Sequence, residues 1–242
     1  MNRYTLKVDE TIATLVVDGD YQALARQFVI EARNEILEYI EGNPEFETSF
    51  DPVFVSKSAG PIIQRMSNAS QMTGVGPMAS VAGSIAQYVV EELVHVGVRH
   101  AILDNGGDIA LYLQEPSVIG IYRGPSGVQN LGFRITSTDQ LLGLCTSSGT
   151  VGHSFSYGVS DAAIVYSHDV TLADAAATAL GNRISSEESS LIECALNEMI
   201  HENINGLMVI IGNLVGTCGE LPEIIKANVD YTLISKGWRD GV

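Results

Sequence analysis

Apolar positions recur along this chain in two different rhythms, and the rhythms divide it into elements. Tyr4–Val8 and Ile12–Val17 read as short strands joined by a turn at Asp9-Glu10. In Tyr21–Ile40 the apolar residues Ala25, Phe28, Val29, Ala32, Ile36 and Ile40 fall at helical spacing, and Gly42-Asn43-Pro44 stops the helix. An irregular aromatic segment runs to Val55, followed by a helix near Pro61–Gln71 and a glycine break, Gly74-Val75-Gly76-Pro77. Met78–Val94 is a helix rich in Ala, Gly and Ser, whose small side chains permit close backbone approach. The pattern then shortens into strands at His100–Asp104, Ile109–Leu113, Val118–Tyr122, Phe133–Thr136, Gly143–Thr146 and Ala162–Tyr166. Helices are predicted at Leu172–Leu180 and Glu187–His201, with final strands at Leu207–Ile211 and Tyr231–Ile234. The elements neither alternate strictly nor segregate. The expectation is an α+β fold, a largely antiparallel sheet covered by helices, with residues 1–242 as one domain.

Composition supports a compact globule: 45% of residues are hydrophobic and 17% are charged. A formal net charge of −16 repels nucleic acid and anionic membranes, so neither is expected as a partner. An anionic ligand would need local help from backbone N–H groups or a metal. The cysteines Cys145, Cys194 and Cys218 are odd in number and form no C-x-x-C, which argues against a zinc ribbon or a disulfide scaffold. The first residues lack a signal-peptide pattern, and no apolar run reaches membrane-spanning length. A cytoplasmic protein is expected.

Candidate chemistry concentrates between Asp104 and Ile184. Asp104-Asn105-Gly106-Gly107-Asp108 reads either as a hairpin turn or as a Gly-rich loop presenting amides to a phosphate or a flavin ring. Cys145 opens a small-residue loop, Ser147, Ser148, Gly149, Thr150, Gly152 and His153, suited to close contact with a nucleotide or acyl group. Cys145 is either a buried thiol or a nucleophile, and His153 a candidate base or orienting group. Thr171-Leu172-Ala173-Asp174 reads as a capping box, with Ser185-Ser186-Glu187-Glu188 as another. Asp174 and Thr178, one turn apart on one helix face, are also suited to offer two oxygens to a hard cation such as Mg²⁺.

Taken in order, these pieces resemble the ApbE superfamily, whose best-known members are Mg²⁺-dependent FAD:protein FMN transferases. The resemblance rests on Gly74–Gly83 entering a small-residue helix, Asn105-Gly106-Gly107-Asp108 after a strand, Thr146-Ser147-Ser148-Gly149, and Leu172–Leu180. It implies an ApbE-like fold and a flavin- or nucleotide-type ligand, FAD or FMN. In this chain Gly76, Asn105–Asp108 and Thr146–Gly149 would bind the cofactor, and Asp174 and Thr178 would hold Mg²⁺. The transferases carry a longer insertion with a His-His-x-x-Asp-Pro pattern, where this chain has only Gly152–Gly158. Ligand binding rather than FMN transfer is therefore the expectation. The chain looks more like a compact ApbE-related branch from anaerobic prokaryotes implicated in sulfide assimilation toward homocysteine. That likeness implies an alternative, a sulfur relay with a persulfide on Cys145 and a sulfur-assimilation partner protein.

Overall fold

The computed structural model describes residues 1–122, 130–149 and 158–227. It opens with a hairpin, β1 (Asn2–Val8) and β2 (Thr11–Val17). Helices α1 (Gln22–Gly42), α2 (Pro44–Thr48) and α3 (Pro61–Thr73) follow. The helix expected over Met78–Val94 begins differently: a 3-10 turn, Pro77–Ser80, precedes α4 (Val81–His95). The break falls at Ser80, whose hydroxyl donates back to the Pro77 carbonyl at 2.9 Å, a local bond that competes with helix continuation.

The remaining chain supplies β3 (Ala101–Asn105), β4 (Asp108–Tyr112), β5 (Ser117–Gly120), β6 (Leu131–Ile135), β7 (Leu142–Ser147) and β8 (Ala162–Ser167). Helices α5 (Val170–Arg183) and α6 (Ser189–Met199) and strands β9 (Gly206–Ile211), β10 (Leu214–Gly219) and β11 (Glu223–Lys226) complete it. The strand expected at Tyr231–Ile234 lies outside the described residues.

Two sheets result. Strands β1-β2-β3-β4-β7-β8-β9-β10 form one, in that order, and β11-β6-β5 form the other. Every pairing among the described residues is antiparallel, so the expected α+β architecture holds. On one face of the large sheet, Leu15, Leu103, Ala110, Val165 and Val209 pack with Val29, Met66, Val89, Ala173 and Ala176 of the helices. On its other face Leu111, Leu144, Ile164, Met208 and Ile210 pack against Phe133 and Ile135 of the small sheet. Central strands are thus covered on both sides, which explains why Gly206–Ile211 is an unbroken apolar run with every residue buried.

The alanine-rich α5 is the helix enclosed most completely, packing against α3, α4, β7 and β8. Two glycines let it come this close. A Cβ on Gly143 of β7 would sit 2.8 Å from the Val170 Cα, and one on Gly83 of α4 would sit 2.9 Å from the Val170 carbonyl oxygen. The start of α5 is wedged between strand and helix, and this fixes where its side chains meet the sheet.

Candidate functional site

The β3–β4 connection is a two-residue hairpin turn. Asn105 pairs with Asp108, and Gly106 and Gly107 take φ of +75° and +108°. The Asp104 carboxylate accepts the Gly107 N–H at 2.9 Å and pins the turn from within. The period of two in a strand puts Asp104 and Asn105 on opposite faces, and Asp108, paired with Asn105, shares the helix side. Asn105 spends its amide there, donating to the Ala82 carbonyl of α4 at 3.0 Å. Turn and functional loop are therefore one object, which delivers Asp108 beneath the helices.

Across the ladder Asp108 pairs with Cys145 of β7, and Asp174 of α5 closes over both. Asp174 is not the helix cap. Asp169 holds that position, its side chain accepting the Leu172 N–H at 3.0 Å, and Thr171 lies inside the helix. The Asp174 Oδ2 instead accepts the Gly83 N–H of α4 at 2.7 Å, 91 residues away in sequence. Here the capping-box reading fails because the first turn of α5 is satisfied by groups other than Thr171 and Asp174. The second expected box fails too: Glu188 is the N-cap of α6 and makes no side-chain capping bond.

Asp108 and Asp174 are both buried and lie against one another, close enough to share a proton. Burial, then the charge of Asp104, raises Asp108 to about 7, opposed by hydrogen bonds from the Thr146 backbone and the Cys145 thiol. Burial and the charge of Asp108 hold Asp174 well above the usual carboxylate range. The Asp108 Oδ1 is buried with no hydrogen-bond partner. Thr178, half-buried, follows Asp174 by one turn on the same helix face. No three His, Cys, Asp or Glu residues among those described are arranged as a metal cluster. Two carboxylates and a hydroxyl are all oxygen donors, the kind a hard cation takes when it keeps part of its water shell.

Further along β7, Ser147 shares the helix-facing side with Cys145, and its buried hydroxyl also lacks a partner. The buried hydroxyl of Ser160, whose carbonyl accepts the Gly149 N–H at 3.0 Å, is likewise unpartnered. Thr146 and Ser147 belong to β7 and pair with Ile164 and Ala163, so of the expected loop only Ser148 and Gly149 lie beyond the strand among the described residues, and His153 lies outside them. Gly76 caps the 3-10 turn Pro77–Ser80. A Cβ there would meet the Ser49 carbonyl oxygen, so the glycine answers to a neighbouring backbone. The sequence singled out neither Gly83 nor Ser160. The small residues of 78–94 and the Gly74–Gly83 entry to that helix were the signals for the first, and none existed for the second.

Cys145 is fully buried, and its thiol lies 3.6 Å from the Val170 carbonyl oxygen. Burial first, then the charges of Asp108 and Asp174, push the thiol well above its ordinary range. A protonated, enclosed thiol is a poor nucleophile. In the native protein a maleimide probe is expected to label exposed Cys194 and leave Cys145 untouched until denaturant is added. Rapid native labelling of Cys145, read by peptide mass spectrometry, would contradict this.

The fold defines a class before any closer likeness does. An ApbE protein from Thermotoga maritima superposes with a TM-score of 0.53 at 11% identity, covering 97% of this chain and 100% of that one. A flavin transferase ApbE from Vibrio cholerae superposes with a TM-score of 0.51 at 13% identity, covering 90% and 96%. At these identities the likeness is one of fold. The family profile described as "AbpE bacteria" matches residues 1–209, and the chain belongs to that family. It is also 44% identical over 231 residues to a UPF0280 protein of Methanocella arvoryzae, covering 96% of this chain and 94% of that relative. Among the described residues no helix is long and apolar enough to cross a membrane.

Proposed function

We propose that this protein binds a flavin nucleotide, FAD or FMN, together with Mg²⁺ where the β3–β4 turn meets α5. The observation that carries the reading is the buried, partnerless Asp108 Oδ1 beside Asp174. A buried acceptor without a donor is a costly arrangement that a cation relieves. Asp174 and Thr178, with Asp108, would hold the ion, which would supply charge neutralisation for a pyrophosphate. Asn105–Asp108 and Thr146–Gly149 adjoin the carboxylates on the paired strands β4 and β7 and would line the same ligand. A chain carrying a net charge of −16 needs such local compensation to accept an anion. The flavin transferase ApbE of Vibrio cholerae shares the fold, which supports a flavin as the nucleotide. The reading stops at binding, because the short Gly152–Gly158 segment stands where transferases carry their insertion. A sulfur relay through Cys145 gains no support from a thiol enclosed against two carboxyls.

Calorimetric titration with FAD, and separately FMN, in Mg²⁺ and in EDTA tests the proposal. Binding in Mg²⁺ that disappears in EDTA is expected. Equal affinity in both, or no binding in either, would overturn it.

A further inference from the structure

One buried side chain of α4 joins the element carrying Gly83 to the element carrying Asp174, and nothing in the ligand chemistry above uses it. Gln87 lies one helical turn beyond Gly83 and is almost fully buried. Its Oε1 accepts both the Thr171 N–H at 2.9 Å and the Thr171 hydroxyl at 3.0 Å. Its Nε2 donates to the Glu91 Oε1 at 3.0 Å, and the other Glu91 oxygen accepts from Arg65 of α3 at 2.6 Å. The partners fix the orientation of the amide: Thr171 presents two donors and Glu91 presents an acceptor, so only one of the two amide orientations satisfies all of them. Thr171 itself is fully buried, so its N–H and hydroxyl have no water to fall back on.

Gln87 therefore acts as a cap delivered from another helix. Asp169 satisfies Leu172, Gln87 satisfies Thr171, and the next polar contact between the two helices is Gly83 N–H to Asp174. Two contacts one turn apart on α4 fix both the depth and the rotation of α5. Rotation decides whether Asp174 points at Asp108 or away from it. We infer that Gln87 is the positioning residue of this site, holding the first turn of α5 through Thr171 so that Asp174 stays seated on Gly83 and against Asp108. The inference rests on the flavin–Mg²⁺ reading for its functional consequence, and on the hydrogen bonds alone for its structural one.

Three full-length variants test it: Gln87→Met, which keeps the shape and loses the amide; Thr171→Val, which loses only the hydroxyl bond; and the exchange Gln87→Glu with Glu91→Gln. In the exchange the carboxylate at position 87 accepts from Thr171 and from the amide nitrogen at position 91. The amide oxygen at position 91 accepts from Arg65, so each bond of the chain has a counterpart. The ligand-free readout is the Gly83 amide in ¹⁵N NMR, held by a carboxylate in the parent. Gln87→Met is expected to shift that resonance and speed its hydrogen exchange at least tenfold. Thr171→Val does so more weakly, and the exchange variant restores it. Mg²⁺-dependent FAD affinity falls in parallel, about tenfold or more in Gln87→Met, returning to within about threefold in the exchange variant. An unchanged Gly83 amide in Gln87→Met, or in Thr171→Val should the first variant not fold, overturns the inference. So does an exchange variant that leaves the amide displaced. If the parent binds no FAD, the flavin reading fails, while the Gly83 amide still decides whether Gln87 positions Asp174.

Discussion

Asp174→Ala is expected to abolish Mg²⁺-dependent FAD binding, lowering affinity more than about a hundredfold, with little net change in stability at neutral pH. Two opposed effects produce the small stability change. The substitution strands the Gly83 N–H, which Asp174 accepts at 2.7 Å, and an unsatisfied buried donor costs about 1–3 kcal/mol. It also removes one member of a buried acid pair, the carboxyl that burial and the charge of Asp108 hold well above its ordinary range. Relief of that pair offsets the lost bond. Asp169→Ala is the control, because Asp169 is the residue that caps α5. Its loss should lower stability by about 1 kcal/mol and leave ligand binding in place. Were Asp174 merely a helix-end residue, the two variants would behave alike: a modest fall in melting temperature and unchanged calorimetric titrations. That result would remove Asp174 from the site.

This contrast also shows where the sequence stops being legible. Local pattern located most elements to within a few residues because each depends on contacts its own rhythm encodes. The helix expected over Tyr21–Ile40 is α1 (Gln22–Gly42), and Leu207–Ile211 is β9 less one residue. Elements without an apolar rhythm stayed hidden. Strand β10, Leu-Val-Gly-Thr-Cys-Gly, carries a glycine at its centre that lets it lie on Ile192 and Leu196 of α6, a contact no local pattern announces. β11 has four residues at the edge of a small sheet, and α2 is a five-residue turn opened by Pro44.

The site was half legible for a related reason. Asn-Gly-Gly marked a turn, and strand alternation already determines that Asp104 and Asp108 take opposite faces. Which face meets α5, and that Asp174 reaches back 91 residues to Gly83, depends on helix placement. Thr171 followed by Asp174 three residues later fits the capping rule, yet the Thr171 donors are claimed by Gln87, 84 residues upstream. A correct local rule lost to a tertiary partner.

The acid pair should give the ligand-free protein a pH dependence that runs against the usual direction. A paired or hydrogen-bonded carboxylate ordinarily lowers its pKa on folding and stabilises the protein above its unfolded value. Asp108 does the reverse, moving from an ordinary 3.8 to about 7 through burial and the charge of Asp104. The folded chain then holds this proton more tightly than the unfolded chain. The associated stability is fully present below the unfolded value and is lost as pH rises toward about 7. Across that window Asp108→Asn should gain on the parent by about 2–4 kcal/mol, since the amide keeps the shape and carries no charge at any pH. The comparison is a difference between parent and variant, so histidines and other carboxyls that titrate alike in both cancel. Chemical denaturation at several pH values between about 4 and about 8 measures it. The curves should converge at the acid end and separate at the alkaline end, with the parent less stable. Mg²⁺ should close the alkaline gap by neutralising the ionised pair in the parent, while doing nothing for a variant that has lost one oxygen anion. Parallel curves for parent and Asp108→Asn would mean that the two carboxyls are hydrated and independent, and the cation site would lose the buried acceptor on which it rests.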